Sequence, residues 1–165
     1  MSEKTKTRII IADDNTAWCD LLKKYLEKNS DVEIIGMTSD GEEQIAMIKT
    51  LKPDIVVTDL KREKGLSGIE VIKRCNEENM EKVKFLVETG CYYEDQMDML
   101  KNMGINHVLY KPFVLDNIIE KIEEIQNEEI RDLITINNEL SENKKSIFDI
   151  IKSKIMELRI STRKG

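Results

Sequence analysis

Ile55-Val56-Val57-Thr58-Asp59-Leu60 is a short run of apolar, mostly β-branched residues interrupted by a carboxylate. It lacks the apolar/polar alternation of a half-exposed strand, so it reads as a strand of a parallel sheet covered on both faces. A buried strand has no packing use for an aspartate at its C-terminal end. In open α/β sheets, ligands bind in the crevice beyond those ends. Asp59 is therefore the candidate reactive group, and the neighbouring elements are read for what they bring to it.

Upstream, Arg8-Ile9-Ile10-Ile11-Ala12 is a second buried-strand pattern, and it stops on Asp13-Asp14. Asn15 can cap the helix that follows, which carries Trp18, Leu21, Leu22, Tyr25 and Leu26 at helical spacing. Val32 to Thr38 is a strand, and Asp40-Gly41 opens a helix through Ile45, Ile48 and Leu51. Downstream of Asp59, a polar loop from Lys61 to Gly65 precedes a helix from Ser67 to about Glu78 that buries Ile69, Ile72 and Cys75. A fourth strand runs from Val83 to Val87 and ends Glu88-Thr89-Gly90, and a helix with Met97, Leu100 and Met103 stops at Gly104. His107 to Tyr110 is the fifth strand, followed by Lys111-Pro112-Phe113 and a helix from near Val114. Five strand–helix alternations predict an α/β fold, a doubly wound five-stranded parallel sheet of order 2-1-3-4-5 with a C-terminal helical extension. That order sets the first and third strands side by side, so Asp13, Asp14 and Asp59 share one pocket.

With 165 residues, 40% apolar and 35% charged, the chain fits one globular domain plus an extension. The expected division is 7–127 for the domain and 128–165 for the extension. No apolar run is long enough to span a bilayer and the start lacks a signal-peptide core, which makes the cytoplasm the default. Three cysteines without paired spacing and a single histidine argue against a Cys/His metal centre. A net charge of −6 argues against a protein that coats nucleic acid.

Clustered carboxylates repel one another, and a hard divalent cation relieves the repulsion; magnesium suits an all-oxygen site, with manganese second. Such a cation would screen Asp59 from an incoming phosphate and permit in-line attack to an aspartyl-phosphate. Lys111, ending the fifth strand, can pair with that phosphate, and Thr89, ending the fourth, can donate its hydroxyl, with Gly90 leaving room. Each pair alone is ordinary turn or cap chemistry. Their coincidence at four strand ends is what carries weight.

From about Arg8 to Ile125 the chain resembles a response-regulator receiver domain of bacterial two-component signalling. The matching pieces are Ile-Ile-Ala-Asp13-Asp14-Asn15, Pro53 to Leu60, Leu66-Ser-Gly-Ile-Glu-Val-Ile, Thr89-Gly90 and Lys111-Pro112-Phe113. The resemblance implies that Asp59 takes phosphate from a sensor histidine kinase or phosphotransfer protein. It implies that Asp13, Asp14, Asp59 and the Lys61 backbone carbonyl hold magnesium, and that Thr89 and Lys111 recognise the phosphoryl group. It further implies a cis Lys111-Pro112 bond and an output face from the fourth helix, fifth strand and fifth helix, including Met97, Met99, Asn102, Asn106, His107 and Asn117. Such a domain is a switch, with no turnover beyond its own phosphorylation and dephosphorylation.

The chain departs from the family in several places. The loop Lys61-Arg62-Glu63-Lys64-Gly65 replaces a shorter Met-Pro segment and adds positive charge near the pocket. Val108 stands where the family has an aromatic. Glu88 precedes Thr89 and is read as a solvated side chain at the pocket rim. Lys61 and Cys91 occupy positions expected to influence phosphate lifetime. An aspartate-nucleophile phosphohydrolase would need a second aspartate at position 61, and lysine there excludes it. A pseudo-receiver that works without phosphorylation stays open.

Beyond Ile125, Gln126, Ile130, Leu133, Asn137 and Leu140 follow alternating four- and three-residue steps, a coiled-coil spacing with an Asn that suits a parallel dimer. Continuation of the fifth helix and packing on the receiver are the other readings. Ser146 with Asp149 reads as a helix start, leading into a stripe of Ile147, Phe148, Ile150, Ile151, Ile155 and Leu158. The final segment, ending Arg163-Lys164-Gly165, resembles the opening helix of the DNA-binding domain in sporulation-type response regulators. That would make the chain the receiver and linker of a transcription regulator. The partners implied are the kinase, a second copy through the fourth helix, fifth strand and fifth helix or the C-terminal helices, and DNA only through a further domain.

Overall fold

The computed structural model describes residues 6–29, 31–80, 83–90 and 94–161. The chain divides into two units, Met1–Ile125 and Gln126–Gly165. In the first, β1 (Thr7–Ala12), β2 (Val32–Thr38), β3 (Ile55–Asp59), β4 (Lys84–Thr89) and β5 (His107–Tyr110) alternate with α1 (Thr16–Asn29), α2 (Gly41–Leu51), α3 (Gly68–Glu77) and α4 (Glu94–Asn102). α5 (Leu115–Ser161) begins in the first unit. All neighbouring strands pair in parallel, in the order β2-β1-β3-β4-β5. The expected topology is the observed one.

Strand alternation sorts the sheet into two dry faces. Ile9, Ile11, Ile55, Val57, Leu86 and Leu109 point to one, where Leu22 and Leu26 of α1 and Ile118, Ile122 and Ile125 of α5 cover them. Ile10, Val56, Phe85 and Val87 point to the other, under Ile45 and Ile48 of α2, Val71, Ile72 and Cys75 of α3, and Met97 and Leu100 of α4. Leu21 is an exception to its helical-spacing reading: it is exposed, and Cys19 joins Leu22 and Leu26 on the buried side of α1 instead. Ile69 is only partly buried at the edge of its cluster.

Local chemistry starts the helices as expected. Asn15 Oδ1 accepts from Trp18 N at 3.1 Å at the start of α1. Asp40 caps α2 by accepting from Glu43 N at 2.9 Å. Ser67 and Glu70 form a reciprocal capping box on α3. Gly68, next to that cap, is required by space. A Cβ there would stand 2.2 Å from the Asp59 carbonyl oxygen and 3.0 Å from Leu60 Cα.

α5 corrects one expectation. It is a single helix of 47 residues, and Ser146 lies in its interior and starts nothing. Its first turns supply Ile118, Ile122 and Ile125 to the core, whereas residues 127–152 are all exposed. Among the described residues, no helix is long and apolar enough to cross a membrane.

Candidate functional site

The two-residue period that buries one face of the sheet also assembles the site. On β1, Ile9 and Ile11 are followed at the same parity by Asp13, and on β3, Ile55 and Val57 by Asp59. On β4, Leu86 is followed by Glu88, and on β5, Leu109 by Lys111. Four polar side chains thus leave the strand ends on the α1/α5 side, directly above an apolar layer.

They meet there. The Lys111 ammonium donates to Asp13 Oδ2 at 2.7 Å and to Asp59 Oδ1 at 3.2 Å, and stands 3.4 Å from Glu88 Oε2. Asp13 accepts from Asn15 N at 2.8 Å and Asp59 from Lys61 N at 2.8 Å, which fixes both carboxylates. The Trp18 indole N–H donates to Glu88 at 2.7 Å, its ring lies 5.7 Å from the ammonium, and its edge packs against Phe113. The Lys111-Pro112 bond is cis, as the resemblance implies.

Glu88 overturns the reading of a solvated rim residue. It is 1% exposed and belongs to the cluster. Burial pushes its carboxyl up to about 7, outweighing the pull of Lys111 and the Trp18 bond. Burial likewise raises Asp59 above the usual carboxylate range, with Lys111 working against it. Lys111, beside three acids, is held above its ordinary value despite its own burial.

The sign of the Glu88 effect sets a test. A carboxyl whose folded value is raised contributes stability that is fully present below its ordinary 4.5 and is lost as pH rises through about 7. Glu88→Gln has no such loss. In EDTA it should match the wild type near pH 4 and exceed it by up to about 2–3 kcal/mol at pH 8. Thermal melts across that range check this, and a gap that does not change with pH would refute it.

The other expected residues are placed as follows. Asp14 is exposed beside the pocket and accepts from Glu63 N at 3.1 Å. Thr89 is 2% exposed, and its carbonyl accepts from Lys111 N at 2.8 Å. Strand alternation gives its side chain the parity of Val87, opposite to Glu88. Met97 is core, which removes it from the expected output face, while Met99 is half-exposed. Val108 lies across from Val87 and against the α2–α4 side. Cys91 lies outside the described residues.

Arg62 turns the extra charge of the loop inward. Its guanidinium donates to Thr58 Oγ1 at 3.1 Å, to the Leu66 carbonyl at 3.2 Å, and to Gln44 Oε1. Burial lowers its pKa while Asp59 and its neighbours draw it up. The fully buried Gln44, unremarked in the sequence, is the α2 residue that receives it.

As arranged, no three acidic, His or Cys side chains among the described residues form a cluster that could hold a metal ion. The Lys111 ammonium lies between two of the expected ligands. The donor set nevertheless suits magnesium, which binds through one or two carboxylates and completes its shell with waters and phosphate oxygens.

A family model described as the response regulator receiver domain matches residues 9–123. The chain is similar to the receiver domain of a CheY-like response regulator from Methanospirillum hungatei JF-1, at 25% identity and TM-score 0.68, over 77% of this chain and 98% of that one. It is also similar to the response regulator domain of Thermotoga maritima CheB (22%, TM-score 0.66, 74% and 97% covered). A third similar structure is a LuxR-family DNA-binding response regulator from Staphylococcus aureus (19%, TM-score 0.68, 72% and 98%).

Proposed function

The chain belongs to the response-regulator receiver family, and on that premise we propose that it is a magnesium-dependent phosphoacceptor whose reactive group is Asp59. The observation that carries this reading is the convergence of Asp13, Asp59 and Lys111 at three strand ends, within 2.7 to 3.2 Å of one ammonium. An Asp59 carboxylate oxygen attacks the phosphorus of a phosphohistidine donor on a sensor kinase or phosphotransfer protein. The N–P bond breaks in line, the histidine leaves, and an acyl phosphate remains on Asp59. Magnesium, held by Asp13, Asp14, Asp59 and the Lys61 carbonyl, would supply charge screening for that attack.

Lys111 keeps Asp59 in place before transfer and afterwards has a phosphoryl group to pair with. Thr89 donates its hydroxyl to the same group. The added charge of roughly −1.5 to −2 then draws on the β4 and β5 ends and biases the surface of α4, β5 and α5, where Met99, Asn102 and Asn106 are exposed. In this proposal the receiver spans 7–127, acts in the cytoplasm, and turns over no outside substrate.

A phosphorylation-independent receiver is the second reading, favoured by one observation: Lys111 is already engaged by three carboxylates. Intact mass after incubation with acetyl phosphate and magnesium decides between them. The wild type should gain one phosphoryl group, and Asp59→Asn or added EDTA should abolish the gain. An unmodified wild type, or an adduct that persists in the Asn variant, would sink the phosphoacceptor.

A further inference from the structure

We propose that residues 130–151 of α5 form a parallel, in-register, two-stranded coiled coil with a second copy of this chain. Ile130, Asn137, Lys144 and Ile151 fall at the first core position of successive heptads, and Leu133, Leu140 and Ile147 at the second. Between 130 and 152 every charged residue except Lys144 lies on the outer positions of the heptad: Arg131, Asp132, Glu139, Glu142, Lys145, Asp149 and Lys152. The seam itself is flanked by apolar Ile134, Ile136, Phe148 and Ile150. A helix patterned this sharply has a face to bury.

The exposed area matches what an interface needs. Nine Ile, Leu and Phe side chains of this stretch are 51–63% exposed. They present on the order of 900 Å² of surface, against the ~800 Å² that each partner gives to a standard interface and the 300–600 Å² patches usual on monomers.

Two features choose the occupant and the orientation. Ile130 at the first core position with Leu133 at the second is the pairing that favours two strands over three or four, and Leu140 keeps leucine at the second; Ile147 alone departs from it. Asn137 meets Asn137 of the other copy only when the helices run parallel and in register, whereas antiparallel packing sets it against an apolar side chain of the second core class. The positions flanking the seam, 134, 136, 141, 143, 148 and 150, carry no charge, so parallel helices meet no like-charge repulsion there. Lys144 is the weak layer; its stem lies along the seam and its ammonium leaves it.

The inference is independent of phosphoryl transfer and is tested without it. Sedimentation equilibrium of the full chain should give a dimer, Leu140→Asp a monomer whose receiver melt is unchanged, and Lys144→Leu a tighter dimer. In a Cys91→Ser background, Leu140→Cys should link two copies under oxidation through a disulfide that the background variant does not form; Cys19 and Cys75 are buried. A monomeric wild type, a trimer or tetramer, a dimer that survives Leu140→Asp, or a Leu140→Cys dimer that fails to cross-link would each overturn the proposal.

Discussion

Replacing Lys111 by methionine is expected to destabilise the receiver by about 3–5 kcal/mol at pH 7.5, a fall in Tm of roughly 10–20 °C for a domain of this size. The ammonium is the only cation in contact with Asp13, Asp59 and Glu88 among the described residues, and those acids are 4%, 9% and 1% exposed. Methionine keeps the stem and removes the charge, so three nearly buried carboxylates are left to repel one another. They can escape only by taking up protons. The deficit should therefore shrink as pH falls toward 5, where Asp59 and Glu88, both raised by burial, are the first to protonate. Melts of both proteins in EDTA across that range measure this. An equal Tm at pH 7.5 would mean that the cluster is solvated and that the account of the pocket is wrong.

Gly68→Ala is the second large effect. The added methyl would meet the Asp59 carbonyl oxygen at 2.2 Å, and that atom belongs to the backbone of a central strand and cannot rotate away. Gly68 N also donates to the Leu60 carbonyl at 3.0 Å, so α3 cannot retreat without breaking the bond that ties it to β3. We expect a loss of about 3–4 kcal/mol in denaturant unfolding, together with slower phosphoryl uptake because the displaced atom belongs to the proposed acceptor residue. Gly90→Ala is the control. A Cβ at Gly90 meets nothing within 4 Å, and the change should stay within about 0.5 kcal/mol. Comparable losses in the two variants would show that contact with Asp59 is not what matters at Gly68.

The strands and their order were legible because parallel, doubly covered strands leave dense apolar runs, and each run here ends on a polar residue. The same runs gave Asp13, Asp59 and Lys111. Glu88 is hidden by its place next to Thr89 at the crevice mouth, where a solvated rim carboxylate is the ordinary reading. Counting the two-residue period from Leu86 would have turned it inward, to the side where Trp18 offers an indole donor. Arg62 and Gln44 were hidden for a different reason. Their pairing joins a loop to a helix 18 residues earlier, and neither partner has a pattern that announces the other. The helix start read at Ser146 failed because Ser and Asp three residues apart make a cap only where the preceding turn is absent.

Trp18 has a practical consequence. It is the sole tryptophan in the chain, and its indole nitrogen is tied to a carboxylate that also faces Lys111. The long-wavelength ultraviolet emission of this protein therefore comes from a single fluorophore at the wall of its own charge cluster. Ions, pH and ligands that rearrange that cluster are reported by native light alone, with no dye attached and no residue changed.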